Sequence, residues 1–338
     1  MYSFIALLTF AAGIFAASAE HIVYSTVPGF FLQDLNTTNA STFDYTATNF
    51  GLINRTYPTD SHFDPHGKKT QWQRFARYVE ALVFHESRKI DYKVIFFGRH
   101  GEGFHNAAET YYGTPAWNCY WSERDGNSTA IWADAHLTPN GIAQAQRAHN
   151  FWAHELDVQK IPAPQSYYTS PLYRCLSTAN ITFSGLKLPR SRPFVPLVKE
   201  LFRESISGHT CDRRSNKTYI HDSFPSYKIE KGFSEQDLLW KPLEDETSVD
   251  QQVRSKIVLD QVFKSDRSTW VSVTSHSGEI GAILADLGHI PFSLNTGSVI
   301  PVFVKAERAK GPQPTTATQP YTALSTCSTQ PPLPTATA

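Results

Sequence analysis

"KVIFFGRHGEGFHN", residues Lys93 to Asn106, drives an apolar run straight into an arginine, two histidines and an asparagine. A short apolar run bounded by glycine reads as a buried core strand. In open α/β sheets ligands bind at the carboxyl ends of strands, so the polar knot is a candidate site. The surroundings repeat the scheme. "TQWQRFARYVEALVFHE" from Thr70 spaces its aromatic and aliphatic side chains at helical intervals, and "LTPNGIAQAQ" opens a helix with a Thr138 cap and Pro139 in the first turn. "QSYYTSP" reads as a strand, "LYRCLSTANITF" as a helix, "FVPLVKELFRE" as a strand leading into a loop, and "VDQQVRSKIVLDQVFKS" as a helix. "TWVSVTSHSGEIGAILADLG" closes with strand, loop and helix. Such alternation predicts an α/β fold, a three-layer α/β/α sandwich with a mainly parallel central sheet. Residues 20 to 70 read as a loop-rich lead-in, and the stretch from Gly208 to Glu246 as an insertion or connecting loop near a pocket.

The 338 residues hold 31 Lys plus Arg against 31 Asp plus Glu, so no basic excess points to nucleic acid and a small partner fits better. Residues 1–19 combine an apolar run from Phe4 to Ala16 with the small-x-small pattern Ala17-Ser18-Ala19, which predicts a signal peptide cleaved after Ala19. The run falls short of the roughly 20 residues a spanning helix needs, so no membrane partner is expected after cleavage. Sequons beginning at Asn36, Asn39, Asn54, Asn127, Asn180 and Asn216 agree with export, with some expected to be buried and unused. One folded domain is placed at residues 20–308, and residues 309–338 form a Ser/Thr/Pro-rich tail whose composition predicts disorder. A secreted, extracellular location follows, with cell-wall association open. Among four cysteines, Cys119 with Cys211 is the pairing expected from loop-like surroundings, and Cys175 is expected to be a buried free thiol.

Polar clusters end three of the apolar runs: Arg99-His100-Gly101, Ser170-Pro171-Leu172-Tyr173-Arg174 and Ser275-His276-Ser277-Gly278. In a mainly parallel sheet these ends share one edge, so distant residues can converge. Two arginines and two histidines beside a helix N-terminus make an anion pocket, because guanidinium forks match phosphate oxygens. His62 and His66 have metal-pair spacing, but Pro65 disfavours the helix that would align them, and no metal is assigned.

"RHGEGFHN", "LTPNGIAQAQ", "SPLYRCLSTA", "KELFRE" and "VSVTSHSG" follow the order and spacing of the histidine phosphatase superfamily. Over roughly Lys93 to Val304 the chain resembles its phosphoglycerate-mutase-like branch, and "HTCDRR" with "SEQDLLW" looks most like fungal mutase-like proteins. The resemblance implies that His100 is the nucleophile that becomes a phosphohistidine. It also implies that Arg99, Asn106, Arg174 and His276 bind the phosphoryl group and that Glu204, within "RESISG", donates the proton. Glu200, four residues earlier, is the rival donor. A histidine nucleophile splits hydrolysis into two displacements and requires neither metal nor cofactor. The implied partner is a small phosphorylated substrate, and the implied activity a secreted phosphatase. A phosphoglycerate-type mutase or a catalytically weak phosphate-binding protein are the alternatives. Where the branch has Ser and Trp in RHGxSxWN, this chain has Gly103 and His105, so His105 either touches substrate or packs. The acid-phosphatase pattern RHGxRxP is not matched, and phytase activity is not implied.

Overall fold

The structure is a computed structural model that describes residues 20–87, 89–319 and 321–333; the leader read from residues 1–19 lies outside the described residues. The chain order of strands is β1 (Glu20–Thr26), β2 (Ile90–Arg99), β3 (Ser166–Thr169), β4 (Leu197–Val198), β5 (Lys228–Ile229), β6 (Glu244–Asp245), β7 (Trp270–Ser275), β8 (Val299–Lys310) and β9 (Thr322–Ala323). Seven of them form one sheet in the order β1-β8-β2-β7-β3-β4-β5. β2, β7, β3, β4 and β5 pair in parallel, and β8 runs antiparallel to both β2 and β1. The sheet is therefore mainly parallel, as the alternation of elements predicts.

Alternation along β2 divides the core. Ile95 and Phe97 join Val271, Val273, Ile300 and the buried side of the Ser248–Ser265 and Ser277–Asp286 helices. Val94 and Phe96 face the other way, into an aromatic layer with Trp72 and Phe75 of the Gln71–His85 helix and Trp152 of the Pro139–His154 helix. Burial on both faces explains why the strand reads as a continuous apolar run. The lead-in belongs to this same layer: Phe30, Phe31, Tyr45, Phe50 and Tyr57 are all buried in it. The predicted Thr138 cap forms, and Thr70 caps the Gln71–His85 helix in the same way. Thr70 accepts from the Gln73 N–H at 3.2 Å, and Thr138 from the Gly141 N–H at 3.1 Å.

Three expectations are corrected here. Cys119 is bonded to Cys327, 208 residues away, with Cα atoms 5.0 Å apart, while Cys211 and Cys175 are buried free thiols. Cys211 packs among Trp117, Trp121 and Trp132, whereas the Cys327 N–H donates to the Cys119 carbonyl at 2.6 Å. The tail, read as disordered, is tied to the body by that bond and by β9, which pairs antiparallel with β6. Backbone hydrogen bonds and one disulfide hold what its composition gives no core to hold. All six sequon asparagines, some of which were expected to be buried, are exposed.

Candidate active site

The register of the parallel strands brings the polar clusters together. Arg99 lies opposite Ser275 across β2 and β7, and Thr169 lies opposite Thr274 across β3 and β7. The residues that follow, His100, His276 and Ser170, therefore leave the sheet side by side. The His100 N–H donates to the Ser275 carbonyl at 3.0 Å, and the Ser170 N–H to the Thr274 carbonyl at 3.0 Å. Gly101 turns the chain away under the Pro139–His154 helix, where a Cβ on Gly101 or Gly141 would strike the backbone of the other segment. Only glycines permit that approach, which seats the loop after His100 against the first turn of the helix. The Gly101 N–H is held by the Thr178 hydroxyl at 3.0 Å.

His100 is 2% exposed, and its Nδ1 lies 2.7 Å from the Gly101 carbonyl. A carbonyl only accepts, so Nδ1 carries the proton and Nε2 keeps its lone pair. Burial, then the charges of Arg174 and Arg99, hold this imidazole well below its ordinary value of 6.5. A neutral ring with one fixed proton is a competent nucleophile at neutral pH.

Arg174 reaches the site from the Tyr173–Phe183 helix and is 1% exposed. Its Nη1 donates to the Cys211 carbonyl at 2.6 Å, its Nη2 to Asp212 at 2.9 Å, and its Nε to His276 Nδ1 at 3.3 Å. The last bond fixes the tautomer of His276: Nδ1 accepts, so the proton is on Nε2, 2.8 Å from Ser170 Oγ. The His276 ring stands 5.0 Å from that of His100 but is wholly buried, and it does not line the cavity. In this arrangement it orients Arg174 from behind. Arg99 donates from Nη1 to the Leu294 carbonyl at 2.7 Å, and its buried Nε has no partner among the described residues. Asn106 accepts the Gly103 N–H at 3.0 Å, and it lines the cavity.

The two candidate acids separate clearly. Glu200 is clamped between Arg203 at 3.1 Å and Arg214 at 2.9 Å, away from the cavity. Glu204 lines the cavity and accepts from Gly278 at 3.2 Å and Glu279 at 3.0 Å, at the N-terminus of the Ser277–Asp286 helix. Its carboxylate is thus oriented by the helix that the SHSG cluster opens.

His105, left open by the sequence, is 9% exposed and lines the cavity, with its ring 5.5 Å from that of His100. A Cβ on Gly103 would fall 2.6 Å from His105 Nδ1. The two departures from the branch pattern are therefore one adjustment: glycine at 103 makes room for imidazole at 105. His105 is also held neutral, by burial first and then by Arg174 and His100. Its folded value lies below that of the unfolded chain, so its contribution to stability is present above pH 6.5 and is lost as pH falls below it. Buried Glu279, pushed up to about 8 by desolvation, acts in the opposite direction, so a comparison of variants is required. We expect His105→Asn to lose less stability than wild type between pH 7 and 5, by up to about 1.4 kcal/mol per pH unit; parallel Tm-against-pH curves would contradict this.

Sequence reasoning missed Asp212, whose two oxygens accept from Arg174 at 2.9 Å and Ser207 at 2.8 Å. It sits in the "HTCDRR" motif, which was legible as a likeness without a role. His209, Cys211 and Asp212 are the group among the described residues whose potential metal-ligand atoms lie within 4.8 Å of one another. Both Asp212 oxygens are engaged and burial pushes the Cys211 thiol well up; the Asp212 carboxylate and the Cys211 carbonyl serve to anchor Arg174. The cavity that His100, Arg99, Arg174 and Glu204 line has a volume of about 620 Å³ and is walled also by Leu324 and Ser325 of the tail.

A strand-end histidine thus shares its cavity with two guanidiniums and a carboxylate held at a helix N-terminus. The chain belongs to the histidine phosphatase superfamily (branch 1), whose family profile matches residues 95–296. It is 51% identical over 292 residues to the "Probable phosphoglycerate mutase" of Arthroderma benhamiae, covering 86% of this chain and 87% of that one. It is 39% identical over 216 residues to "Phosphomutase-like protein 3" of Candida albicans, covering 64% of this chain and 66% of that one. Among solved structures it is similar to phosphoglycerate mutase from Thermus thermophilus, at 19% identity and a TM-score of 0.32, over 62% of this chain and 91% of that one.

Proposed function

We propose that the protein is a secreted phosphatase that hydrolyses phosphomonoesters through a phosphohistidine on His100. The observation that carries this is the fixed tautomer: Nδ1 bound to the Gly101 carbonyl at 2.7 Å, with the ring lining a cavity shared with Arg99 and Arg174. In the first displacement His100 Nε2 attacks phosphorus and the bond to the alcohol oxygen breaks. Glu204 gives that oxygen a proton. In the second, water attacks the phosphohistidine, Glu204 takes a proton back, and inorganic phosphate leaves. Arg99 and Asn106 hold the phosphoryl oxygens, and Arg174 balances their charge with His276 orienting it. No metal or cofactor enters this scheme.

If Glu204 is the donor, Glu204→Gln should slow esters of ordinary alcohols about 10²- to 10³-fold in kcat and barely change p-nitrophenyl phosphate, whose leaving group needs no proton. An equal loss on both substrates would remove Glu204 from that role. The mutase reading has the names of the relatives in its favour. Isomerisation of 3-phosphoglycerate faster than phosphate release would establish it in place of hydrolysis. Catalytic inactivity with retained phosphate binding would favour the binding-protein reading. Export is supported by six exposed sequons and by a disulfide, which persists in oxidising compartments. A glycosidase-sensitive mass in the culture medium of a secreting host is the expected result.

A further inference from the structure

The charges lining the cavity are unevenly matched. Among the described residues, Arg99 and Arg174 are the only lysine or arginine side chains that line it, whereas Glu109, Glu204, Asp212, Asp245 and Glu246 all do. Two of those carboxylates already have cations: Asp212 pairs with Arg174 at 2.9 Å, and Glu246 with Arg254 at 2.8 Å. Arg254 is shared in turn with Glu279 at 3.1 Å. Among the described residues Glu109 and Asp245 are held only by neutral donors, the Thr114 hydroxyl at 2.9 Å and the Gly208 N–H at 3.0 Å. Once a phosphoryl dianion occupies the guanidiniums, neither of these arginines remains for a second anionic group. Asn118, Ser207 and Ser325 add neutral hydrogen-bonding groups beside the Trp117 ring, and His209 and Leu324 also line the wall.

We propose that this site selects phosphomonoesters whose alcohol portion carries no negative charge, hydroxyl-bearing alcohols in particular, and discriminates against phosphorylated acids. The proposal rests on the phosphatase reading and names its substrate class. An anionic leaving group would meet the phosphoryl charge and the carboxylates of Glu109 and Asp245 together, with repulsion that costs rather than gains affinity. The selection is made by repulsion, so it resides in Glu109 and Asp245 and not in the groups that handle phosphorus.

Glycerol 3-phosphate and 3-phosphoglycerate differ at one end only, hydroxymethyl against carboxylate, and isolate that charge. With the full-length secreted protein at pH 7.5 and low salt, kcat/KM for glycerol 3-phosphate should exceed that for 3-phosphoglycerate by about tenfold or more. Turnover of the acid is counted as hydrolysis plus isomerisation. The ratio should shrink several-fold in the double variant Glu109→Gln/Asp245→Asn, and in wild type as salt is raised. A wild-type ratio near one, or a ratio that survives the double variant, overturns the proposal. p-Nitrophenyl phosphate separates the two failures. Its hydrolysis alongside a ratio near one defeats only the charge selection, whereas no phosphate release from any of the three esters defeats the phosphatase reading itself.

Discussion

His100→Ala is expected to abolish phosphate release, by at least about 10⁴-fold in kcat, while leaving the melting temperature within a few degrees of wild type. The ring makes a single side-chain hydrogen bond, to the adjacent Gly101 carbonyl, so its removal strands little beyond one acceptor beside the cavity. What disappears is the group placed to form the covalent intermediate. Wild-type protein quenched during turnover should carry an acid-labile phosphate on the peptide containing His100, and the variant should carry none. Retention of even a tenth of the activity would mean that another group attacks phosphorus.

Arg174→Met should affect both activity and stability. Its guanidinium is wholly buried and bonded at 2.9 Å to Asp212, so removal leaves a carboxylate in the interior without its cation. Breaking a buried pair from one side costs about 3–5 kcal/mol. Loss of the charge facing the phosphoryl group should lower kcat/KM by about 10²- to 10³-fold. The second change Asp212→Asn removes the stranded charge, so the double variant should regain much of the stability and none of the activity. Recovery of activity along with stability would show that Arg174 is merely structural.

The centre of the fold was legible because its signals are local. A strand buried on both faces has no polar positions, so Val94 to Phe97 stands out, and the Thr138 and Pro139 pair marks a helix start within two residues. Convergence of His100, Arg174 and His276 followed from the parallel topology, which places successive strand ends on one edge. Elements that depend on a distant partner were not legible. β1 shows only a brief alternation, with Ile22 and Tyr24 buried, and is a strand because β8 lies beside it. β4 is a two-residue strand within a stretch that reads as longer. The cysteine partner could not be found because spacing carries no information about a loop of 208 residues. His276 was placed correctly beside His100, but its position behind Arg174 depends on side-chain packing that no pattern encodes.

The closing segment of the chain has a practical consequence. Thr322 and Ala323 pair antiparallel with the two-residue strand that contains Asp245, the next two residues form a wall of the cavity, and Cys327 fastens the arrangement beside Asn118. Protein trimmed to the family boundary for crystallisation, or produced in a thiol-reducing bacterial cytosol, would present a wider mouth with altered electrostatics. Binding or kinetic constants from such material would describe a different molecule from the one the gene specifies.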